Sequence, residues 1–584
     1  MPNWLQRFGM IVALILAPMG LRAMTLELSM NHVFNGVPLT LNSMQYRNAA
    51  EEVMSVERLS YLLSDFVFER EDGTRVELTN QFAWMDAGQK RVDVRIDVPS
   101  GVYRAMRYSV GLNAKANSSD VTKYEADHPL NPNLNGLHWS WQGGYIFLAL
   151  EGLYQTVGTE PKGYSYHFAR TNNYTPVTLS ANLDLTKDAR ILVDFDIATV
   201  LNSPCLLSFV KDGASTHSRE GDPVAVSIRA NLPGAFHIRQ FIQASDIAQG
   251  VPMKPLYLPK QFAPYRFQMS AMFPIPSLPR DNPLIEERVS LGEKLFNEKA
   301  LSRDASISCA SCHQNSGAFS DSRRFSIGVR NQSGTRQAMP LFNLAWKSSF
   351  FWDGRAPSLR AQALMPIQDH AEMDQTLEGA VSNLTARAEY PTLFEKAFGS
   401  REITAEKIGL AIEQFVLTLT SFDSKFDRVL RGQEKFSEPE QRGFELFMTE
   451  YEPRTEHYGA DCFHCHGGPL FSDHQFHNNG LDSKYDADPG RYKFTKIDSD
   501  RGKFSTPSLR NVSLTAPYMH DGRFNTLEEV IEHYSTGVKR SLTLDPNIAK
   551  HPDGGIHLSA TDKQALVAFL KTLTDPKFVK KQAN

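Results

Sequence analysis

Two short motifs carry the most chemistry in this chain: Cys309-Ala-Ser-Cys312-His313 and Cys462-Phe-His-Cys465-His466. Each is Cys-x-x-Cys-His, the spacing of covalent haem attachment. Two thiols on one helical turn meet the two vinyl groups of a porphyrin edge. The next residue then swings an imidazole under the iron. Cys-x-x-Cys pairs also build structural zinc sites. A His directly after both pairs, in a chain with an export signal, favours two covalent haem c groups. Two haems restrict the function to electron transfer or redox catalysis.

The elements that must position these motifs fall into blocks. The chain has 584 residues, 41% hydrophobic and 22% charged, enough for two to four ordinary globular domains. A net charge of −4 gives no reason to expect a nucleic-acid partner. Arg7 precedes the apolar run Met10-Ile-Val-Ala-Leu-Ile-Leu16, and Ala23 offers a small residue for cleavage. Residues 1–23 therefore read as a signal peptide, too short to span a bilayer comfortably, which predicts a periplasmic protein with no membrane span in the mature chain. Four of the five cysteines belong to the motifs, which leaves Cys205 and no disulfide.

From 24 to 238 strand patterns dominate. Val92, Val94, Ile96 and Val98 alternate with charged residues, as do Val193, Phe195 and Ile197. An all-β sandwich is expected there. A proline-rich linker, stiff and extended, follows over 239–273. Helices dominate afterwards. Asn282-Pro283 reads as the start of one, carrying Val289, Gly292 and Phe296 on a face. Ser559-x-x-Asp562 reads as the cap of another, with Leu566, Phe569, Leu570 and Leu573 inside. The expected fold is thus multidomain: a β-sandwich followed by a mainly α, two-lobed dihaem cytochrome c, with lobes at 274–440 and 441–584.

Around the haem motifs stand Leu341-Phe-Asn-Leu-Ala-Trp346, Phe350-Phe-Trp-Asp-Gly-Arg-Ala356, Thr506-Pro-Ser-Leu-Arg-Asn511 and Thr515-Ala-Pro-Tyr-Met-His-Asp-Gly522. Over about 274–580 the chain resembles the bacterial dihaem cytochrome c peroxidase superfamily, which includes MauG. The resemblance implies that His313 ligates a peroxide-binding haem and His466 a low-spin haem. Ordinary members carry Met as the second low-spin ligand. Here the matching position is Tyr534, as in MauG and MbnH-type enzymes, on a helix opened by the Thr526-x-x-Glu529 capping box and closed at Gly537. Its anionic oxygen would favour the higher oxidation states of iron. His533 should point elsewhere. Val329 follows Ser326-Ile-Gly328 where ordinary members have a distal His, which implies an open coordination position. Gln362, Pro366 and Glu372 match the family's distal residues, with Glu372 as acid/base. Trp352 matches the tryptophan between the haems. Calcium between them would be held by Gln337, where the family has Asn, and by the carbonyls of Thr515 and Pro517.

The β-rich part contains Asn135-Gly-Leu-His-Trp-Ser-Trp-Gln-Gly-Gly-Tyr145, Leu59-Ser-Tyr-Leu-Leu-Ser-Asp65 and Tyr164-Ser-Tyr-His-Phe168. It resembles MbnP, a copper-binding protein matured by a MauG-like partner, although the four-cysteine motif often described for such proteins is missing. The resemblance implies copper on His32 and His167, with His138 a further imidazole. Trp139 and Trp141 would share a strand face, and one of them would become kynurenine. The implied activity uses hydrogen peroxide and a bis-Fe(IV)-type state to oxidise a tryptophan of the chain's own β-domain, or that of a neighbouring copy. Two alternatives remain open: a peroxidase fed by a small redox protein, and a periplasmic copper-delivery protein whose haem half only matures it.

Overall fold

The computed structural model describes residues 23–139, 143–244, 247, 255–452 and 457–579. The expected signal peptide, residues 1–23, lies outside them except for Ala23, which opens the first strand.

Two sheets make the N-terminal domain. In the first, Ala23–Phe34 runs parallel to Ala189–Asp196 and antiparallel to Asp93–Pro99, placing Leu26 opposite both Ala189 and Ile96. Alternation sets the faces: Ile96 and Val98 are buried, while Arg95 and Asp97 face water. In the second, Arg58–Arg70 pairs with Arg75–Asp86, Gly101–Val110 and Ile146–Gln155, and Lys162–Ala169 pairs with Ile146–Gln155. Aromatic rings fill the space between the sheets. Phe195 stacks on Phe236 at 4.2 Å, and Tyr61 reaches across to meet Phe195 at 5.1 Å.

The expected boundaries shift in two places. Ile197 is not a strand residue. The Asp196 side chain accepts the Ala198 N–H and starts the helix Ile197–Asn202. The strand Phe236–Gln243 pairs with Ala189–Asp196, so the sheet continues past 238. A second helix, Pro223–Asn231, capped by Asp222, makes the domain β-rich rather than purely β.

The described part of the linker forms no helix and lies against the first haem lobe. Arg288 donates to the Leu256 carbonyl at 2.8 Å, and the Tyr257 hydroxyl donates to Glu406 at 2.6 Å. Asn282 does not cap the helix that follows, which runs Glu286–Phe296. It is buried instead, donating to the Leu410 carbonyl and to Glu413. A side chain so engaged cannot also close a helix end. Both lobes repeat one packing device. A Cβ at Gly292 would lie 2.0 Å from the Ala411 carbonyl, and one at Gly443 would lie 2.0 Å from the Ala565 carbonyl. Each glycine lets an opening helix cross its lobe's later helix at close range. The last helix is Ala560–Lys571, with Ser559 accepting the Asp562 N–H as expected.

The β-domain docks on the second lobe. A Cβ at Gly163 would lie 1.8 Å from the Pro546 carbonyl, so the strand Lys162–Ala169 touches the helix Pro546–Ala549 backbone to backbone. Asn547 donates to Glu151 at 3.2 Å across the same contact. No described helix is long and apolar enough to cross a membrane.

Candidate functional site

The first motif opens a short helix, Cys309–Cys312, closed on itself by the Ser308–Ser311 capping box. His313 Nδ1 donates to the Phe319 carbonyl at 3.0 Å, which fixes the tautomer and leaves Nε2 for a ligand. A cavity of about 760 Å³ lies alongside, lined by Cys312, His313, Trp352, Gln362, Pro366 and Glu372. Gln362 and Pro366 project from the helix Leu359–Gln368. Burial raises the Glu372 carboxyl to about 7, helped by Asp369 and opposed by Arg355. Such a group can both accept and return a proton near neutrality. Val329 donates its N–H to the Glu372 backbone carbonyl at 2.9 Å, so this apolar residue is held beside the acid.

The second motif repeats the imidazole geometry. His466 Nδ1 donates to the Phe471 carbonyl at 3.1 Å. Its cavity, about 200 Å³, is lined by Cys462, Cys465, His466, Trp352, Met519 and Tyr534. The helix carrying Tyr534 departs from expectation. Its α-helical part is Leu527–Glu532, and a wider π-turn covers His533–Gly537. π-turns often mark functional sites. His533 turns to the Asn479 carbonyl at 3.0 Å, whereas the Tyr534 hydroxyl accepts from Asn479 Nδ2 at 3.3 Å. Burial raises the Tyr534 hydroxyl well above its usual range, with the Asn479 bond opposing, so a phenolate there needs a cation.

Trp352 borders both cavities and donates Nε1 to the Gln337 carbonyl at 2.9 Å. These residues fit two haems: each motif offers an oriented imidazole, two unpaired thiols and an adjoining hollow. Gln337 is buried and gives its amide to Ser320 Oγ and the Asp321 carbonyl. Its own N–H bonds the His520 carbonyl, which ties it to the segment holding Thr515 and the cis Ala516–Pro517 bond.

The expected copper pair is not brought together. His32 lies between the sheets, bonded to the Tyr61 hydroxyl at 3.0 Å and packed on Phe195. Its neighbours are core aromatics because its strand faces the second sheet. His167 lies elsewhere, at the contact with the haem lobe. Its Nδ1 faces His217 Nε2 at 3.2 Å, and its Nε2 bonds Glu151 at 2.9 Å. His464, enclosed in the second haem motif, completes this group. His138 pairs with Tyr145, and its buried Nδ1 has no partner among the described residues.

Trp139 is not on a regular strand either. It enters a tight turn in which its N–H bonds the Gly144 carbonyl and its carbonyl accepts from Gly143. Gly143 and Gly144 both take positive φ, which a continuing strand could not. Trp139 is 7% exposed and stacks on His217 at 5.6 Å between ring centres. Trp141 lies outside the described residues. A small cavity of about 80 Å³ touches Trp139, His138, His167, Phe463 and His464. His217, His464, Glu151 and Glu450 escaped the sequence reading. The one available signal was an imidazole in the free position of a haem motif.

Comparison with known proteins agrees with this architecture. Residues 286–435 match the family "Di-haem cytochrome c peroxidase", and residues 23–217 match the family MbnP. The methylamine utilization protein MauG of Methylorubrum extorquens is 38% identical over 50% of this chain and 80% of its own length. The cytochrome c551 peroxidase of Nitrosomonas europaea is 34% identical over 52% and 85%. A solved MauG-like protein associated with microbial copper homeostasis is 34% identical, covering 55% of this chain and 98% of that one with a TM-score of 0.48. The chain therefore belongs to the MauG and di-haem cytochrome c peroxidase family, with an MbnP domain fused ahead of the haem lobes.

Proposed function

We propose that this MauG-like peroxidase oxidises Trp139 of its own MbnP domain to kynurenine. The observation that carries the reading is the docking. The β-domain presses Trp139, stacked on His217, into the small cavity beside Phe463 and His464 of the second haem motif. A substrate held there needs no separate encounter.

When bound, the haem irons would supply the redox chemistry: two electrons taken up per peroxide and the oxidising equivalents stored. Cys309, Cys312 and His313 would hold one group, and Cys462, Cys465, His466 and Tyr534 the other. Glu372 has the part of moving a proton from one peroxide oxygen to the other, and its pKa near 7 suits both halves of that transfer. Gln362 lines the same hollow and would orient the peroxide. Trp352 borders both cavities and offers a path for charge between them. The balance is four electrons. Two peroxides are reduced to water, the indole ring opens to N-formylkynurenine, and hydrolysis releases formate.

Export by residues 1–23 to the periplasm belongs to the same reading, as does calcium held by Gln337 with the carbonyls of Thr515 and Pro517. The test is intact mass and peptide mapping of the haem-loaded chain with and without peroxide. Peptide 135–145 should gain one oxygen and lose one carbon. Unmodified tryptophans after peroxide consumption would overturn the proposal.

A further inference from the structure

His464 has no part in haem attachment, which needs only Cys462, Cys465 and His466 of its motif. The matching position in the first motif is Ser311, used for local capping. Yet His464 is buried at the domain junction as deeply as His167, each side chain being 3% exposed. One ligand atom each from His167, His217 and His464 lies within 4.8 Å of the others. Two nitrogens on one ion, each about 2.0–2.1 Å from it, sit roughly 3.3–3.5 Å apart. His167 Nδ1 and His217 Nε2 are already 3.2 Å apart. A carboxylate orients the first ring: Glu151 holds His167 Nε2 at 2.9 Å, and Arg58 anchors Glu151 at 2.9 Å, which turns Nδ1 into the group. Glu450 serves the other two, with Oε2 2.9 Å from His217 Nε2 and 3.2 Å from His464 Nε2. Lys550 also bonds Glu450 and stands 3.1 Å from Asp461 and 3.3 Å from His464 Nε2, so a cation entering the group displaces it from Glu450 and His464 and leaves it Asp461.

We propose that His464 supplies a third imidazole to a copper centre shared between the β-domain and the second haem lobe. The centre deepens the reading above, since it lies at the same junction as Trp139. Three imidazole nitrogens suit Cu(I), and the Glu450 carboxylate offers a further donor for Cu(II). Because the protein ligands come from both domains, the metal locks the docked arrangement. Metal affinity and docking are then linked: each strengthens the other.

The experiment uses the full haem-loaded chain, before and after peroxide. Copper(I) is titrated against a chromophoric chelator, and copper(II) is followed by electron paramagnetic resonance. The variants are His464→Gln and His217→Gln, with pyridine haemochrome confirming two haems in each. The expected result is one tight copper per chain and a loss of a hundredfold or more in affinity in both variants, with fewer nitrogen couplings in the copper(II) spectrum. Wild-type copper affinity and couplings in His464→Gln with both haems intact would overturn the shared centre. Mapping of peptide 135–145 in the same samples reports separately on the oxidation. His464-dependent copper without kynurenine would sink only the reaction, and kynurenine with His464-independent copper would sink only the centre.

Discussion

The two haem motifs are the same five-residue device put to different uses. In both, the final imidazole donates Nδ1 to a carbonyl six or five residues on, at 3.0 and 3.1 Å. What differs is everything around them. The first faces a wide hollow that holds a buried acid with a pKa near 7. The second faces a tighter hollow containing Tyr534, and its outer side is covered by the MbnP domain. Its two free positions are Phe463 and His464 in place of Ala310 and Ser311. On the proposed reading the first motif serves entry and proton transfer, and the second serves ligation and contact with the β-domain. Division of labour follows from surroundings, since the attachment chemistry is identical.

Removing the groups breaks the comparison most completely. Replacing Cys309 and Cys312 with Ala should halve the haem content and abolish peroxide consumption. Replacing Cys462 and Cys465 should also halve the haem content, but some peroxide reactivity should survive while modification of Trp139 stops. Pyridine haemochrome and peptide mapping decide between these outcomes. Identical behaviour of the two double variants would end the argument for separate roles.

Glu372→Gln acts on the first hollow alone. Proton transfer by a positioned acid/base is worth about 10²–10⁴-fold in rate. The peroxide step should slow by that factor in stopped-flow absorbance, with haem content unchanged. The wild-type rate should fall as pH drops through about 7, because only the ionised carboxylate can accept the first proton. The variant should lose that inflection. An inflection that persists in Glu372→Gln would point to another group.

Tyr534→Phe acts on the second hollow alone. The low-spin signal in electron paramagnetic resonance should change, while the rate of the first peroxide step stays within about threefold, since Glu372 and its surroundings are untouched. An unaltered spectrum would remove Tyr534 from the ligand set.

Much of this contrast could be read in the sequence, and the rest required the chain to close on itself. The haem motifs stand in local patterns, Glu372 and Trp352 come only from the family resemblance, and the alternation at Ile96 and Val98 marks a half-buried strand because the side-chain period of a strand is two. Residues 167, 217 and 464 share no local pattern at all. His217 sits after a two-residue strand, and His464 hides in a position that haem attachment leaves free. Pairing of Lys162–Ala169 with Ser215–Thr216 sets the first two side by side, and docking of the same strand on Pro546–Ala549 adds His464. His32 is expected from the resemblance alone, and closure of the two sheets places its ring against Tyr61 and Phe195 instead of beside His167. The Trp139 region misled because Gly143 and Gly144 fold it back before a strand can continue.

The smallest change tests that docking directly. Gly163 has no side chain where the strand meets the Pro546 carbonyl, and an added methyl would lie 1.8 Å from that oxygen. The contact is backbone on both sides, so neither partner can rotate away as a flexible side chain would. Forcing extra volume into a packed contact costs about 1–3 kcal/mol. In Gly163→Ala that cost falls on the interface, because Tyr164 and Tyr166 stay buried within the β-domain and hold the strand in place. The haem count and the peroxide step should therefore match wild type. Trp139 should be modified more slowly, since the docked population falls. Calorimetry should show the β-domain and haem lobes melting further apart in temperature. If Trp139 is modified at the wild-type rate while the two melting steps separate, docking is not what presents the tryptophan, and the second motif loses its claim to a contact role.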